Sequence, residues 1–305
     1  MKLSIWQRVT LFLVSLSLAA ALSSIPLYAA DDFTIRSNVS EVRLAFAASD
    51  RQGHVIRTLR ATDVAVADNG TIIRHFRSFR AASESPLDLV ILLDASDSVA
   101  KQLPQEIAEV KSFIDKSKWN ERDRVSIITF GGTQAQLLCA RNCRTESAQQ
   151  KLSSLRASGA TPLYDALFEA AELLKRDRDP ESRPAMILFS DGMDTISMHG
   201  ATDATEAAEN LQSAIYSVNT RSVKSGADRG DGVLQYLATN TGGLAFGPGS
   251  NVEQVLSAVL DDLHGGYVLT YSLPEQASSQ HAVQVLATSD PGLQFRARHA
   301  YNGAE

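Results

Sequence analysis

Cysteine is scarce in this chain. There are two in 305 residues, Cys139 and Cys143. With three residues between them they do not form the C-x-x-C of a redox motif, and none lies near the N-terminus to carry a lipid anchor. In an exported chain the pair is expected to close a small structural disulfide loop, the alternative being two free thiols. Basic blocks are missing as well: Lys and Arg are scattered and the net charge is -6. That excludes nucleic acid as the main partner and a polybasic membrane anchor. No H-E-x-x-H, G-x-x-x-x-G-K-[ST] or G-x-S-x-G occurs, so the usual zinc-protease, P-loop and hydrolase signatures are absent. The six histidines (His54, His75, His199, His264, His281, His299) are expected in surface or packing roles. What is present, 44% hydrophobic and 21% charged residues, suffices for one large domain and a small one.

Lys2 and Arg8 precede the apolar stretch Val9–Ile25, and Pro26, Leu27, Tyr28, Ala29 and Ala30 lead into Asp31 and Asp32. This is the three-part pattern of a secretory signal peptide, with cleavage expected after Ala29 or Ala30. An uncleaved transmembrane anchor is the competing reading. No later run is long and apolar enough to span a bilayer, so a secreted or periplasmic protein without a membrane span is expected.

From residue 33 to 80 the pattern is that of strands. Val42, Leu44 and Phe46 alternate with Arg43 and Ala45, and Asp68-Asn69-Gly70 is a hairpin signal. In the middle of the chain the pattern changes. Apolar runs at Leu89–Leu93, Arg124–Phe130, Ala185–Ser190 and Ile215–Val218 alternate with helical spacing over 102–116, 163–174, 205–214, 233–237 and 252–263. That predicts an α/β, Rossmann-like, mainly parallel sheet with helices on both faces. Strand patterns return at Tyr267–Leu273, Val283–Leu286 and Leu293–Ala297. The expected layout is a signal peptide at 1–29, an N-terminal β segment at 30–85, the α/β unit at 86–264, and a C-terminal β segment at 265–305. The last packs with 30–85 as a small β-sandwich.

The chemistry lies in three loops. Asp94, Ser96 and Ser98 form D-x-S-x-S after one buried strand. Thr161 stands before a helix, where it also suits an N-cap with Pro162 as first helical residue. Ser190-Asp191-Gly192 ends another buried strand. In a parallel sheet both strand ends fall on the ligand-binding edge. Two carboxylates and three hydroxyls are hard oxygen donors suited to Mg²⁺ or Mn²⁺, with Ca²⁺ also admissible. Neutral hydroxyls in the inner shell leave the metal electrophilic, ready to accept a carboxylate from another molecule.

The order D-x-S-x-S, T-x-L-Y-D-A-L, S-D-G resembles the metal-ion-dependent adhesion site of von Willebrand factor A domains. Ser190-Asp191-Gly192-Met193-Asp194-Thr195 and the β-rich flanks, Tyr267–Tyr271 and Arg296–Tyr301, also look like bacterial exported proteins related to that family. The resemblance implies direct ligation by Ser96, Ser98 and Thr161, with Asp94 and Asp191 acting directly or through water. Asp97 stands where many relatives have Gly. Asp165 and Asp194 are expected to support the site from behind its ligands. The implied function is adhesion or assembly: capture of an Asp or Glu on a partner protein, without catalysis. Two other classes stay open. A strand ending in Asp94 is similar to aspartyl-phosphate-forming phosphatases of the haloacid dehalogenase type, but Ser96 replaces the second acid of their D-x-D. A structural envelope subunit with an idle site is the other.

Overall fold

The computed structural model describes residues 39–176, 178–221, 229–274 and 280–302. The expected leader lies outside them. Among the described residues no helix is long and apolar enough to cross a membrane.

The centre is a six-stranded sheet built from β5 (Leu87–Asp94), β6 (Arg124–Gly131), β7 (Gln134–Cys139), β8 (Arg183–Ser190), β9 (Ala214–Asn219) and β10 (Ala245–Phe246). Its order is β10-β9-β8-β5-β6-β7. All neighbours are parallel except β6–β7. Central parallel strands are covered on both faces, so the interiors of β5 (residues 89–93) and β8 (residues 184–189) are continuous apolar runs, and both strands are buried along their whole length. Within β5, Leu87, Leu89, Ile91 and Leu93 face one core while Val90 and Leu92 face the other.

The first core is closed by α1 (Leu103–Lys116), α2 (Glu146–Ser154) and α6 (Val252–Gly265). The second is closed by α3 (Leu163–Lys175), α4 (Ala201–Leu211) and α5 (Arg229–Thr241). Three helices differ from expectation. Helix α4 begins earlier, capped at Gly200, whose N–H donates to Asp203 at 2.8 Å, and ends at Gln212 in the left-handed region (φ 61°). Helix α5 is longer than 233–237 because it runs through Gly230 and Gly232, residues that weaken the sequence pattern. Helix α2 had no counterpart in the sequence reading, since Ala148 and Leu152 are its only buried residues. The Cys139–Cys143 disulfide is formed, with Cα atoms 5.6 Å apart, and links the end of β7 to the following loop.

The flanking segments form two antiparallel four-stranded sheets. One has the order β13-β1-β11-β4, from β13 (Gln294–Ala297), β1 (Val39–Ser49), β11 (Tyr267–Pro274) and β4 (Ser78–Ala81). The other is β14-β12-β2-β3, from β14 (Ala300–Asn302), β12 (Gln280–Ala287), β2 (Val64–Asp68) and β3 (Thr71–Ile73). Leu44, Phe46, Val66, Leu269, Tyr271 and Val285 fill one shared core. Inside it, the Asp68 carboxylate accepts from Tyr271 Oη at 2.6 Å and Tyr301 Oη at 2.5 Å, and pairs with His281 Nδ1 at 2.5 Å.

Candidate metal centre

Strand β5 delivers Asp94 to the C-terminal edge of the parallel sheet, fully buried. Both of its oxygens are held. Ser96 N donates to Oδ1 at 2.9 Å, and the Ser190 hydroxyl, at the end of neighbouring β8, donates to Oδ2 at 2.7 Å. Ser96 and Ser98 share a hydroxyl–hydroxyl hydrogen bond at 3.0 Å, with Ser96 buried and Ser98 exposed to solvent. Asp191 follows β8 and accepts from Met193 N at 3.1 Å.

Three loops are tied into one surface. Ser158 N donates to Ala95 O at 2.7 Å, and Asp97 N to Gly159 O at 3.1 Å. Gly131 has to be glycine here, because a Cβ would stand 2.4 Å from Ala95 O. Thr161 N donates to Thr195 Oγ1 at 2.8 Å and Thr195 N returns a bond to Thr161 O at 3.0 Å, so the Thr161 loop and the post-β8 loop are locked together. Gly192 turns that loop at φ +78°, where a Cβ would meet Gly230 O at 2.3 Å.

The structure corrects the expected helix cap. Pro162, not Thr161, occupies the cap position of α3, and the helix starts at Leu163. Its first N–H groups go to the post-β8 loop instead: Leu163 N to Asp194 Oδ1 at 2.9 Å, Tyr164 N and Asp165 N to Ser197 Oγ at 3.0 and 3.1 Å. These acceptors replace Thr161, whose hydroxyl makes no hydrogen bond among the described residues. Asp165 accepts from Met198 N and His199 N and pairs with His199 Nδ1 at 2.7 Å, while the His199 ring stacks on Phe168. Asp194 and Asp165 therefore brace the loop that carries Asp191. Asp97 is exposed beside the serines. Sequence reading assigned no role to Ser190, Thr195 or Ser197. Ser190 and Thr195 stand inside the quoted S-D-G-x-D-T motif, but only the fold shows what their hydroxyls hold.

Electrostatics favour a cation. Burial first, and the neighbouring Asp191 charge, push the Asp94 carboxyl up to about 6, against the opposing hydrogen bonds from Ser96 and Ser190. Two acids sharing a desolvated edge are relieved by a dication. Among the described residues no cluster of three or more His, Cys, Asp or Glu could hold a metal. The donor set fits a hard, hydroxyl-tolerant ion such as Mg²⁺ or Mn²⁺ rather than zinc.

Residues 89–193 match the family model for the von Willebrand factor type A domain. The magnesium-chelatase 60 kDa subunit of Rhodobacter capsulatus is 30% identical over 121 residues, 40% of this chain and 22% of that protein. Inter-alpha-trypsin inhibitor heavy chain H4 of Sus scrofa is 26% identical over 199 residues, 63% of this chain and 21% of that one. The matches thus span about a fifth of these relatives. Among solved structures, an aerotolerance-related membrane protein from Bacteroides fragilis aligns with a TM-score of 0.47 at 18% identity, covering 58% of this chain and 98% of that one. Manganese-loaded Plasmodium vivax TRAP protein aligns with 0.44 at 14%, covering 78% and 98%. The chain carries a von Willebrand factor type A domain.

Proposed function

We propose that the chain binds Mg²⁺ or Mn²⁺ through Asp94, Ser96, Ser98, Thr161 and Asp191, and that an Asp or Glu of a partner protein completes the coordination shell. What supports this reading is that Asp94 feels the Asp191 charge, that Ser96 and Ser98 share a hydrogen bond beside Asp94, and that the Thr161 loop is tied to the loop carrying Asp191, within a von Willebrand factor type A domain. When bound, the ion supplies an electrophilic position for an anionic oxygen. The chain's own groups do the rest. Ser190 and Ser96 N fix the Asp94 carboxylate, and the Thr161–Thr195 pair fixes the third loop. Capture rather than catalysis is the reading, because Ser96 stands where a phosphatase would need its second acid.

Titration calorimetry of the purified chain with Mg²⁺ and Mn²⁺ tests it. Saturable binding is expected in the natural chain, with at least a hundredfold loss in Asp94→Ala. Equal binding by both proteins would remove the assignment.

The same reading makes residues 1–29 a leader, 86–264 the module that meets the partner, and the compartment periplasmic or extracellular. The recovered exported protein should begin at Ala30 or Asp31. An intact Met1 on it would refute cleavage.

A further inference from the structure

Near Asp94 the same sheet edge holds a cavity of about 230 Å³, between the first turn of α1, the end of β9 and the start of α6. Gln102, Glu106, Asn219, Thr220, Arg221 and Ser250 are among its lining residues. Glu106 is 3% exposed, and among the described residues its Oε2 has no hydrogen-bond partner. Among the described residues the hydroxyl of Thr220, 8% exposed, and the Gln102 side-chain carbonyl also lack a partner. Buried carboxyls are nearly always paired, since desolvation of the charge is otherwise uncompensated. Three orphaned oxygens on one cavity therefore ask what they receive.

The chemistry narrows the answer. Burial and the nearby Asp94 charge keep a proton on the empty Glu106 carboxyl at neutral pH, and a cation entering the cavity would draw that proton off and make both of its oxygens acceptors. A calcium ion takes six to eight oxygens with several carboxylates, and magnesium a strict octahedron. One carboxylate, one amide carbonyl and one hydroxyl are a poor set for either. An ammonium carries three N–H donors on a compact cationic centre and accepts nothing, which matches three acceptors of which one is acidic. Arg221 lines the cavity too, and a bulkier guanidinium would have to share the space with it.

We propose that this cavity receives the ammonium of a lysine side chain from a partner protein, held by Glu106, Gln102 and Thr220. That the lysine belongs to a protein partner rests on the preceding proposal; the cavity and its oxygens stand without the metal. A partner using both sites would present an acid and a lysine on one face, an arrangement that discriminates far better than a lone carboxylate.

The test is run on the full chain in EDTA, so that its outcome is independent of the metal centre. Probes are lysine capped at both ends, n-butylammonium and n-butanol, with binding followed by amide shifts in ¹⁵N-correlated NMR. Saturable shifts at Gln102 and Thr220 are expected with capped lysine and n-butylammonium and not with n-butanol. Glu106→Gln should weaken both by at least tenfold, and Thr220→Val by several-fold. Glu106→Gln keeps the shape of the side chain, and its amide spectrum reports whether the fold is retained. Binding that survives in Glu106→Gln, n-butanol shifts matching those of the amine, or exclusion of capped lysine would each overturn the proposal.

Discussion

Replacing Glu106 by Gln will flatten the dependence of stability on pH in metal-free buffer. Burial first, and then the Asp94 charge, push the Glu106 carboxyl up to about 8 from an ordinary 4.5. Between those values the folded chain holds a proton that the unfolded chain has released. Stability from this group is therefore fully present below about 4.5, falls as pH rises through the interval, and is lost above about 8. The size is on the order of 5 kcal/mol at most. Gln, neutral throughout, removes that pH dependence. Urea unfolding at pH 5 and pH 9 should show a large drop for the natural chain and a much smaller one for Glu106→Gln. The residual slope belongs to Asp94 and Glu209, raised mainly by burial to about 6 and about 7. Parallel curves for the two proteins would mean that water or a counter-charge reaches Glu106.

Asp68→Ala should be the most damaging single change in the β-sandwich. The carboxylate is the common acceptor for Tyr271, Tyr301 and His281, all buried. Removing it strands two hydroxyls and an imidazole nitrogen in an apolar core and leaves a void. Losses of about 3–5 kcal/mol follow for breaking such a network by deleting one partner. A denaturation midpoint lowered by less than about 1 kcal/mol equivalent would show that the three donors find other acceptors. Tyr271→Phe, which leaves Asp68 two partners, is expected to cost about 1–2 kcal/mol and serves as the internal scale.

The sequence announced the parallel sheet because a strand buried on both faces has no polar positions to interrupt it: Leu89–Leu93 and Ala185–Ser190 read as near-unbroken apolar runs, each leading directly into the site. The D-x-S-x-S and S-D-G stretches follow the ends of β5 and β8, which share one edge of the sheet, whereas Thr161 follows no strand and its loop is tied to the other two by Asp97 N to Gly159 O and by Thr195. What escaped was contact between loops. Nothing local tells that Asp194 and Ser197 cap α3, because their partners lie more than thirty residues away in the chain. Helix α2 escaped because it buries too little to set a period. Glu106 left a trace that could have been read. With Leu103, Ile107, Val110 and Phe113 marking the buried stripe of α1, an acid three residues after Leu103 stands on the apolar face, where a solvated charge has no place.

The strand pairing also fixes an order of events. Leu44 meets Leu269 across β1 and β11, and Val66 meets Val285 across β2 and β12. A ribosome or a translocation channel releases the chain from its N-terminus, so β1 to β4 emerge long before their partners exist. The hairpin of β2 and β3, three residue pairs long, is too slight to stand alone. The large parallel sheet, by contrast, has all its strands in one continuous stretch from Leu87 to Phe246 and can close first. Until the last forty or so residues arrive, Val42, Leu44 and Phe46 are an uncovered strand face, open to chaperones and to wrong partners. The small sandwich is thus the last part of the molecule to be finished, although its first strand is the earliest described one to be made.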